Sequence, residues 1–121
     1  MKDDVLYLKD IRDQCADIIE ETSNITYEEF SNRRIYQNGI ILSIIIIGEA
    51  AKQLSEEFKE THPGIPISLL AKTRDKLVHG YRGIDIRTVW QIAVTDVPQL
   101  YKSVTIFLKI NHNCPKMTVL T

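Results

Sequence analysis

The chain has few of the residues on which several common kinds of site depend. Of its 121 residues two are cysteines, Cys15 and Cys114, and their separation fits neither a zinc-ligand pattern nor a disulfide framework. It has no glycine-rich phosphate loop, no pair of carboxylates arranged for acid–base catalysis and no internal repeat. An excess of charge is also missing, because 16 acidic residues nearly balance 15 basic ones, which argues against a surface that binds polyanions everywhere. We therefore expect neither a metal nor an organic cofactor.

Signals for export or membrane insertion are lacking as well. The first residues, Met1 to Asp4, are acidic, and the segment after them is amphipathic rather than continuously apolar. The isoleucine-rich run over residues 40–47 lies between two glycines and is followed by Glu49 and Lys52, whereas a membrane span needs about 20 apolar residues. We expect a cytoplasmic protein with no membrane partner.

The periodicity of the apolar residues predicts an all-α fold, an up-and-down bundle of four main helices plus one short helix. Thr26 and Glu29 form a capping-box pattern at the start of the short helix, Tyr27 to Ser31. The four main helices are predicted over residues 4–22, 33–60, 66–80 and 86–109, the last of them kinked at Pro98. The bundle forms a single domain over residues 1–121, with a loose tail from about residue 111.

The long second main helix is apolar nearly all round at its centre, so it must be covered on every side. In a domain of this size, that points either to a dimer interface or to the middle position of the bundle. Glu49, at the edge of the apolar run, is either a groove residue or a buried carboxylate that pairs with Arg33, Arg34 or Arg74. His62, in a proline- and glycine-containing loop, is predicted to be exposed and without a partner.

An arginine, a histidine and a tyrosine occur together where the third main helix stops, in the segment from Arg74 to Tyr81. Arginine binds phosphate oxygens with a planar fork of donors, and histidine exchanges protons near neutral pH. These two side chains suffice for phosphodiester chemistry without a metal. Five basic residues against two acidic ones between Lys72 and Arg87 make this segment locally positive. The candidates for RNA contacts are Lys72, Lys76 and Arg82.

The spacing of the motif does not by itself bring its members together. On an ideal helix Arg74 and Tyr81 share a face within roughly 20°, whereas Arg74 and His79 lie roughly 140° apart. Either the helix ends near Gly80 and frees His79, or a two-fold axis brings the arginine of one subunit to the histidine of another. Asp75, four residues before His79, is placed to accept a hydrogen bond from the imidazole.

The motif and its flanking segments resemble the HEPN family. The similar segments are Arg-x-x-x-x-His-x-Tyr over residues 74–81, the stretch from Ile47 to Ala51, and the pairs at residues 84–85 and 89–90. The chain is most similar to the HepT toxin branch, which is encoded beside a minimal nucleotidyltransferase antitoxin.

The resemblance implies a small helical homodimer acting as a metal-independent ribonuclease, with RNA, transfer RNA among the candidates, as substrate. It implies that Arg74 and His79 are the catalytic pair, and that Asp75 is the polar neighbour of the arginine. It further implies that the partner nucleotidyltransferase neutralises the toxin by transferring AMP to Tyr81.

A second class of function stays open beside the enzyme. In that interpretation the domain is a non-catalytic helical module that binds nucleotide or nucleic acid, or docks to a partner. Arg74 would then be an ordinary surface charge, His79 a cation that interacts with the helix dipole, and Tyr81 a packing residue. An intact arginine and histidine favour catalysis, since a binding module needs no proton shuttle.

Overall fold

The computed structural model describes residues 2–80 and 83–119, with side chains described for residues 3–80 and 83–110. In these ranges the protein is all-α, with no strand, as the periodicity predicts. Its elements are α1 (Lys2–Ser23), α2 (Tyr27–Asn32), α3 (Arg34–Lys52), α4 (Glu56–Thr61), α5 (Ile67–His79), α6 (Ile86–Gln91), a π-helical turn (Ile92–Asp96) and α7 (Val97–Val119). The long helices pack side by side in the order α5, α3, α1, α7.

The first helix agrees with its predicted register. Leu8, Ile11, Cys15 and Ile18 recur at helical spacing, and each is at most 1% exposed, so this stripe is part of the core. Burial raises the pKa of the Cys15 thiol to about 12, which keeps the thiol protonated and makes Cys15 a packing residue.

The predicted capping box begins α2. The Thr26 amide donates to Glu29 Oε1 at 2.9 Å, and the Glu29 amide donates to Thr26 Oγ1 at 3.1 Å. This reciprocal pair satisfies two amide groups that have no partner within the helix. It places Phe30 in the core, where its ring lies 5.1 Å from that of Trp90, which is partly buried against the same core.

The single long helix predicted over residues 33–60 is wrong, because the chain breaks after Lys52 and starts again as α4. The Ser55 side chain caps α4 by accepting a hydrogen bond from the Phe58 amide at 3.1 Å. Buried Asp4 of α1 in turn accepts from the Ser55 amide at 2.8 Å and from its hydroxyl at 2.6 Å. The carboxylate that stabilises the break lies 51 residues away in the chain, so local helix propensity could not reveal it.

Helix α3 takes the middle position, the second of the two arrangements expected for an apolar helix. By length and composition it could cross a membrane, but it packs against both α1 and α5, and its buried side chains belong to the common core. The helix is not covered on every side, since Ile35 is 68% exposed and Leu42 is 57% exposed. An apolar strip therefore remains open along α3.

The last predicted helix, residues 86–109, is divided by the π-helical turn. The Val97 amide donates to the Ile92 carbonyl, five residues earlier, immediately before Pro98. Because proline lacks an amide proton and its ring crowds the carbonyl four residues before it, a wider turn relieves the clash. Helix α7 then continues to Val119. The loose tail expected from about residue 111 stays a prediction.

His62 is not the exposed, partnerless loop residue that its sequence context suggested. It follows α4, and its ring stacks on Phe58 at 4.2 Å and meets the edge of Phe107 at 4.8 Å. Its Nδ1 lies 2.9 Å from the Thr61 hydroxyl. The end of α4 brings the ring back over the residue four positions earlier, so His62 has a packing role.

Candidate functional site at the junction of α3 and α5

Arg74 of the motif lies where α5 packs tightly against α3 at Gly48. A Cβ atom added at Gly48 would collide with Arg74 Cβ and stand 2.8 Å from the Leu70 carbonyl oxygen. No residue other than glycine fits at position 48 without moving the backbone of α5. The first atoms of the arginine side chain are therefore located by direct contact between the two helices.

The guanidinium group of Arg74 lies between two carboxylates. Its Nη1 donates to Asp75 Oδ1 at 3.0 Å, and its Nε lies 3.1 Å from Glu49 Oε1. The Nε–H bond does not point at a hydrogen-bond acceptor, so the contact with Glu49 is an ion pair rather than a hydrogen bond. The Arg74 side chain is 24% exposed, so part of it faces solvent.

Asp75 binds a second cation. Lys52 Nζ donates to Asp75 Oδ1 at 3.2 Å, and this completes an alternating row of Glu49, Arg74, Asp75 and Lys52. The hydrogen bond from Arg74, and then that from Lys52, hold the pKa of Asp75 below its usual range. Asp75 therefore stays ionised to a lower pH than an isolated aspartate, and it stays paired with both cations over that range.

His79 is the last residue of α5, and its side chain is exposed. The helix is regular from Ile67 to His79, so His79 and Arg74 lie on different faces of α5. Within the described residues no hydrogen bond or ion pair joins His79 to Arg74 or to Asp75. The expected hydrogen bond from the imidazole to Asp75 is thus not formed, because the carboxylate accepts from Arg74 and Lys52 instead. One subunit does not unite the motif.

The remaining motif positions divide into exposed and undescribed residues. Lys72 and Lys76 are exposed and, together with His79, lie on one face of α5 at spacings of four and three residues. This face is polar and positive, and it differs from the face that carries Arg74. The predicted modification site Tyr81 and the predicted RNA contact Arg82 lie outside the described residues.

A groove of about 460 Å³ between α3, α5 and α7 lies away from the motif. It is lined mainly by apolar side chains, among them Ile44, Ile47, Leu69, Leu70 and Leu100. A polyanion gains nothing from such a lining, which suits an apolar group better than a phosphate. Within the described side chains, no group of three or more histidine, cysteine, aspartate or glutamate residues could hold a metal ion.

Sequence reasoning found part of this arrangement. It named Arg74 as one of three possible partners of Glu49, and the structure selects it. The expected burial of Glu49 is wrong, since its side chain is 49% exposed. It missed Lys52 and the close approach at Gly48. The usable signal was the pairing of opposite charges on two helices, since Glu49 and Lys52 are three residues apart on α3, and Arg74 and Asp75 are adjacent on α5.

Comparison with known proteins identifies the family. The family described as "Ribonuclease HepT-like" matches residues 11–105 of this chain. The Thermococcus cleftensis protein named "Probable ribonuclease HepT" is 40% identical over 94 residues, which cover 78% of this chain and 86% of the relative. No solved structure matches the chain.

Two further relatives have similar overlap. A protein of Methanocaldococcus jannaschii, the proposed RNase MJ1216, is 40% identical over 96 residues, which cover 79% of each chain. A protein of Caldanaerobacter subterraneus, the proposed RNase TTE0752, is 37% identical over 98 residues, which cover 81% of this chain and 88% of the relative. The matched region contains α3, α5 and the whole Arg74–His79 segment. The chain therefore belongs to the HepT-like ribonuclease family.

Proposed function

We propose that this protein is a metal-independent endoribonuclease with Arg74 and His79 as its catalytic residues. The observation that carries the proposal is the placement of Arg74 in a chain of this family. The base of its side chain is pressed onto α3 at Gly48, two carboxylates flank its guanidinium group, and part of the side chain is open to solvent. A cation held in place before the substrate arrives stabilises developing charge without reorganising.

The chemistry follows from the two side chains. His79 takes the proton of a ribose 2′-hydroxyl, whose oxygen attacks the adjacent phosphorus atom while the bond from phosphorus to the 5′ oxygen breaks. Arg74 stabilises the negative charge that gathers on the phosphoryl oxygens. The products are a 2′,3′-cyclic phosphate and a 5′-hydroxyl, which receives a proton. DNA lacks the attacking hydroxyl and is inert.

We further propose that the active unit is a homodimer. Ile35, Leu42 and Glu49 follow one another at intervals of seven residues on α3, so the open apolar strip leads to the carboxylate that contacts Arg74. Val78, four residues after Arg74 and on the same face of α5, is 40% exposed and extends this apolar surface. A second copy seated on this strip about a two-fold axis brings its own motif to the junction and supplies the histidine that one subunit lacks there.

The face of α5 that carries Lys72, Lys76 and His79 is the proposed path of the RNA backbone, with Arg82 as a further contact. Two lysines on one exposed stripe attract phosphates and lead them toward His79 at its end. Since the chain as a whole is nearly neutral, binding should be modest and should weaken steeply as salt is added.

We also propose that the enzyme acts in the cytoplasm as a toxin, and that a cognate minimal nucleotidyltransferase neutralises it by AMPylation of Tyr81. The support is family membership and the position of Tyr81, two residues after His79. Each AMP unit adds a phosphate that competes with the substrate for the donors of Arg74, and the added nucleotide occupies the space beside Arg74 where RNA would bind. Inhibition then requires no unfolding.

Incubation with RNA in the presence of EDTA tests the catalytic proposal. The wild type should cleave RNA to cyclic-phosphate ends, leave DNA of the same sequence intact, and lose at least about 100-fold in rate as Arg74→Ala or His79→Ala. Arg34→Ala, which removes an exposed arginine at the start of α3, is the matched control. If the wild type binds RNA and never cleaves it, the protein is instead the non-catalytic module.

Mixing two inactive variants tests whether the site is shared between subunits. A heterodimer of Arg74→Ala with His79→Ala keeps one intact arginine and one intact histidine on different chains. A site composed across the two-fold axis regains activity in such a mixture, whereas a site within one subunit stays inactive. Failure to recover activity in proven heterodimers would refute the shared site.

Mass spectrometry after coexpression with the nucleotidyltransferase tests the regulation. Tyr81 should gain AMP and cleavage should stop, Tyr81→Phe should stay active and unmodified, and Tyr36→Phe should behave as wild type. A protein that is silenced without any modification would contradict this account.

A further inference from the structure

The ion pair between Glu49 and Arg74 points to a role that the motif itself does not contain. We infer that Glu49 is a positioning residue, which acts with Asp75 to orient the guanidinium of Arg74 so that its Nη2 faces the scissile phosphate. The inference rests on the proposed ribonuclease function and extends it to a residue on a different helix, 25 positions before the arginine.

The distribution of contacts around the guanidinium carries the inference. An arginine has five N–H donors, one on Nε and two on each Nη atom. Glu49 lies at Nε and Asp75 at Nη1, so the two carboxylates hold different nitrogens of the planar group. Within the described residues Nη2 has no hydrogen-bond partner, and it is not among the buried side-chain atoms that lack one. Nη2 therefore keeps both of its N–H donors for a ligand, beside the second N–H of Nη1.

The position of Glu49 is set by the same contact that sets Arg74. Gly48 brings α3 against the base of the arginine side chain, and the next residue along α3 reaches its Nε. One turn later Lys52 holds Asp75 from the same helix. Helix α3 therefore restrains both neighbours of the guanidinium, which limits the rotamers open to a long and otherwise mobile side chain.

The two possible roles of Glu49, positioning Arg74 or merely adding a negative charge nearby, predict different effects of its removal on the cleavage rate. As an unrelated negative charge near the RNA path, Glu49 would weaken RNA binding and leave the chemical step alone. As a positioning residue, it also repels RNA, yet its removal lets the guanidinium leave the geometry needed in the transition state. Loss of Glu49 should therefore slow cleavage even where it tightens binding.

Glu49→Gln separates these cases, with Glu60→Gln, at an exposed position of α4, as the matched control. We expect the single-turnover cleavage rate of Glu49→Gln to fall about 10-fold or more, while affinity for an uncleavable 2′-deoxy-substituted RNA stays equal or rises. Glu49→Asp, which keeps the charge, should recover part of the rate, and Glu60→Gln should stay within about twofold of wild type. A Glu49→Gln enzyme that cleaves as fast as wild type overturns the inference, whatever its affinity.

A measurement that needs no activity separates this inference from the proposed function. The 15N relaxation of the Arg74 Nε–H group should show an ordered side chain in the wild type and in Glu60→Gln, and a mobile one in Glu49→Gln. An inactive wild type in which Glu49 orders Arg74 refutes the ribonuclease and leaves the positioning intact. An Arg74 side chain equally ordered with and without Glu49 refutes the positioning, even in an active enzyme.

Discussion

Helix α3 has a glycine at each end of its isoleucine-rich stretch, and the two glycines have different surroundings. Gly48 is buried against Arg74 and Leu70, and a Cβ there would collide with α5. Gly39 is exposed, and nothing lies within 4 Å of the place its Cβ would take. The end near Gly48 carries the four-charge row, whereas the end near Gly39 carries exposed apolar side chains. Identical residues in one helix thus serve as a close contact at one end and as open surface at the other.

The largest effect is expected from a substitution at Gly48, at the closed end of α3, where the helix is in contact with α5. Gly48→Ala should cost about 1–3 kcal/mol in the free energy of unfolding, because the added methyl group forces α3 and α5 apart. Cleavage should fall about 100-fold, since the base of Arg74 moves with α5. Urea denaturation and single-turnover cleavage measure the two effects. A variant as stable and as active as wild type would show that the helices tolerate separation at this point.

The anchor after the closed end of α3 is the next test. Asp4→Ala should lower the free energy of unfolding by about 1–3 kcal/mol, because it leaves the partly buried Ser55 amide and hydroxyl without their acceptor. Asp3→Ala, at the exposed neighbouring position of α1, should change it by less than about 0.5 kcal/mol. Equal losses in the two variants would assign the effect to the helix dipole rather than to Ser55.

At the open end, the expected effect is on association. Leu42→Glu should raise the dimer dissociation constant at least tenfold, about 1.4 kcal/mol, because it places a charge in the apolar strip. Leu6→Glu on α1 is the control, since Leu6 is 60% exposed but lies outside the strip. Sedimentation equilibrium distinguishes the variants. A wild type that remains monomeric at every concentration would exclude the homodimer.

A smaller and opposite effect is expected at the open glycine. Gly39→Ala should stabilise the fold by about 0.5–1 kcal/mol, because alanine restricts the unfolded chain and nothing opposes its methyl group. The measurement belongs in the Leu42→Glu background, where association does not contribute. If Gly39→Ala destabilised the fold there, the surroundings of Gly39 would be as restrictive as those of Gly48.

The smallest effect concerns the charges beside the closed end. Asp75 has a lowered pKa in the folded protein, so its stabilising contribution is present above the unfolded pKa and disappears as pH falls through the folded pKa. Asp75→Asn should be less stable than wild type at neutral pH, and the two proteins should converge in acid. Urea denaturation over a pH series measures this, with exposed Asp10→Asn as control. A gap that persists in acid would show that the ion pairs with Arg74 and Lys52 are not its cause.

Local patterns predicted the parts of the fold that local contacts determine. The register of α1 and the capping box of Thr26 and Glu29 were readable because their partners lie within a few residues. The break at Ser55 was not, because its second partner, Asp4, comes from another helix. The same division holds at the site. Arg74 and His79 were recognisable from spacing, but their placement on different faces of one regular helix depends on where α5 ends.

The amino-acid pattern alone determined that the protein is helical and where most helices begin, because helical periodicity and capping act over one or two turns. It also identified Arg74 and His79 as the arginine and histidine of the motif. Tertiary structure decided where α3 stops, which of three arginines pairs with Glu49, and that Asp75 turns to Lys52 and Arg74 rather than to His79. The physical reason is distance along the chain. Helix packing brings residues 25 or 51 positions apart into contact, and short-range propensities carry no information about such pairs.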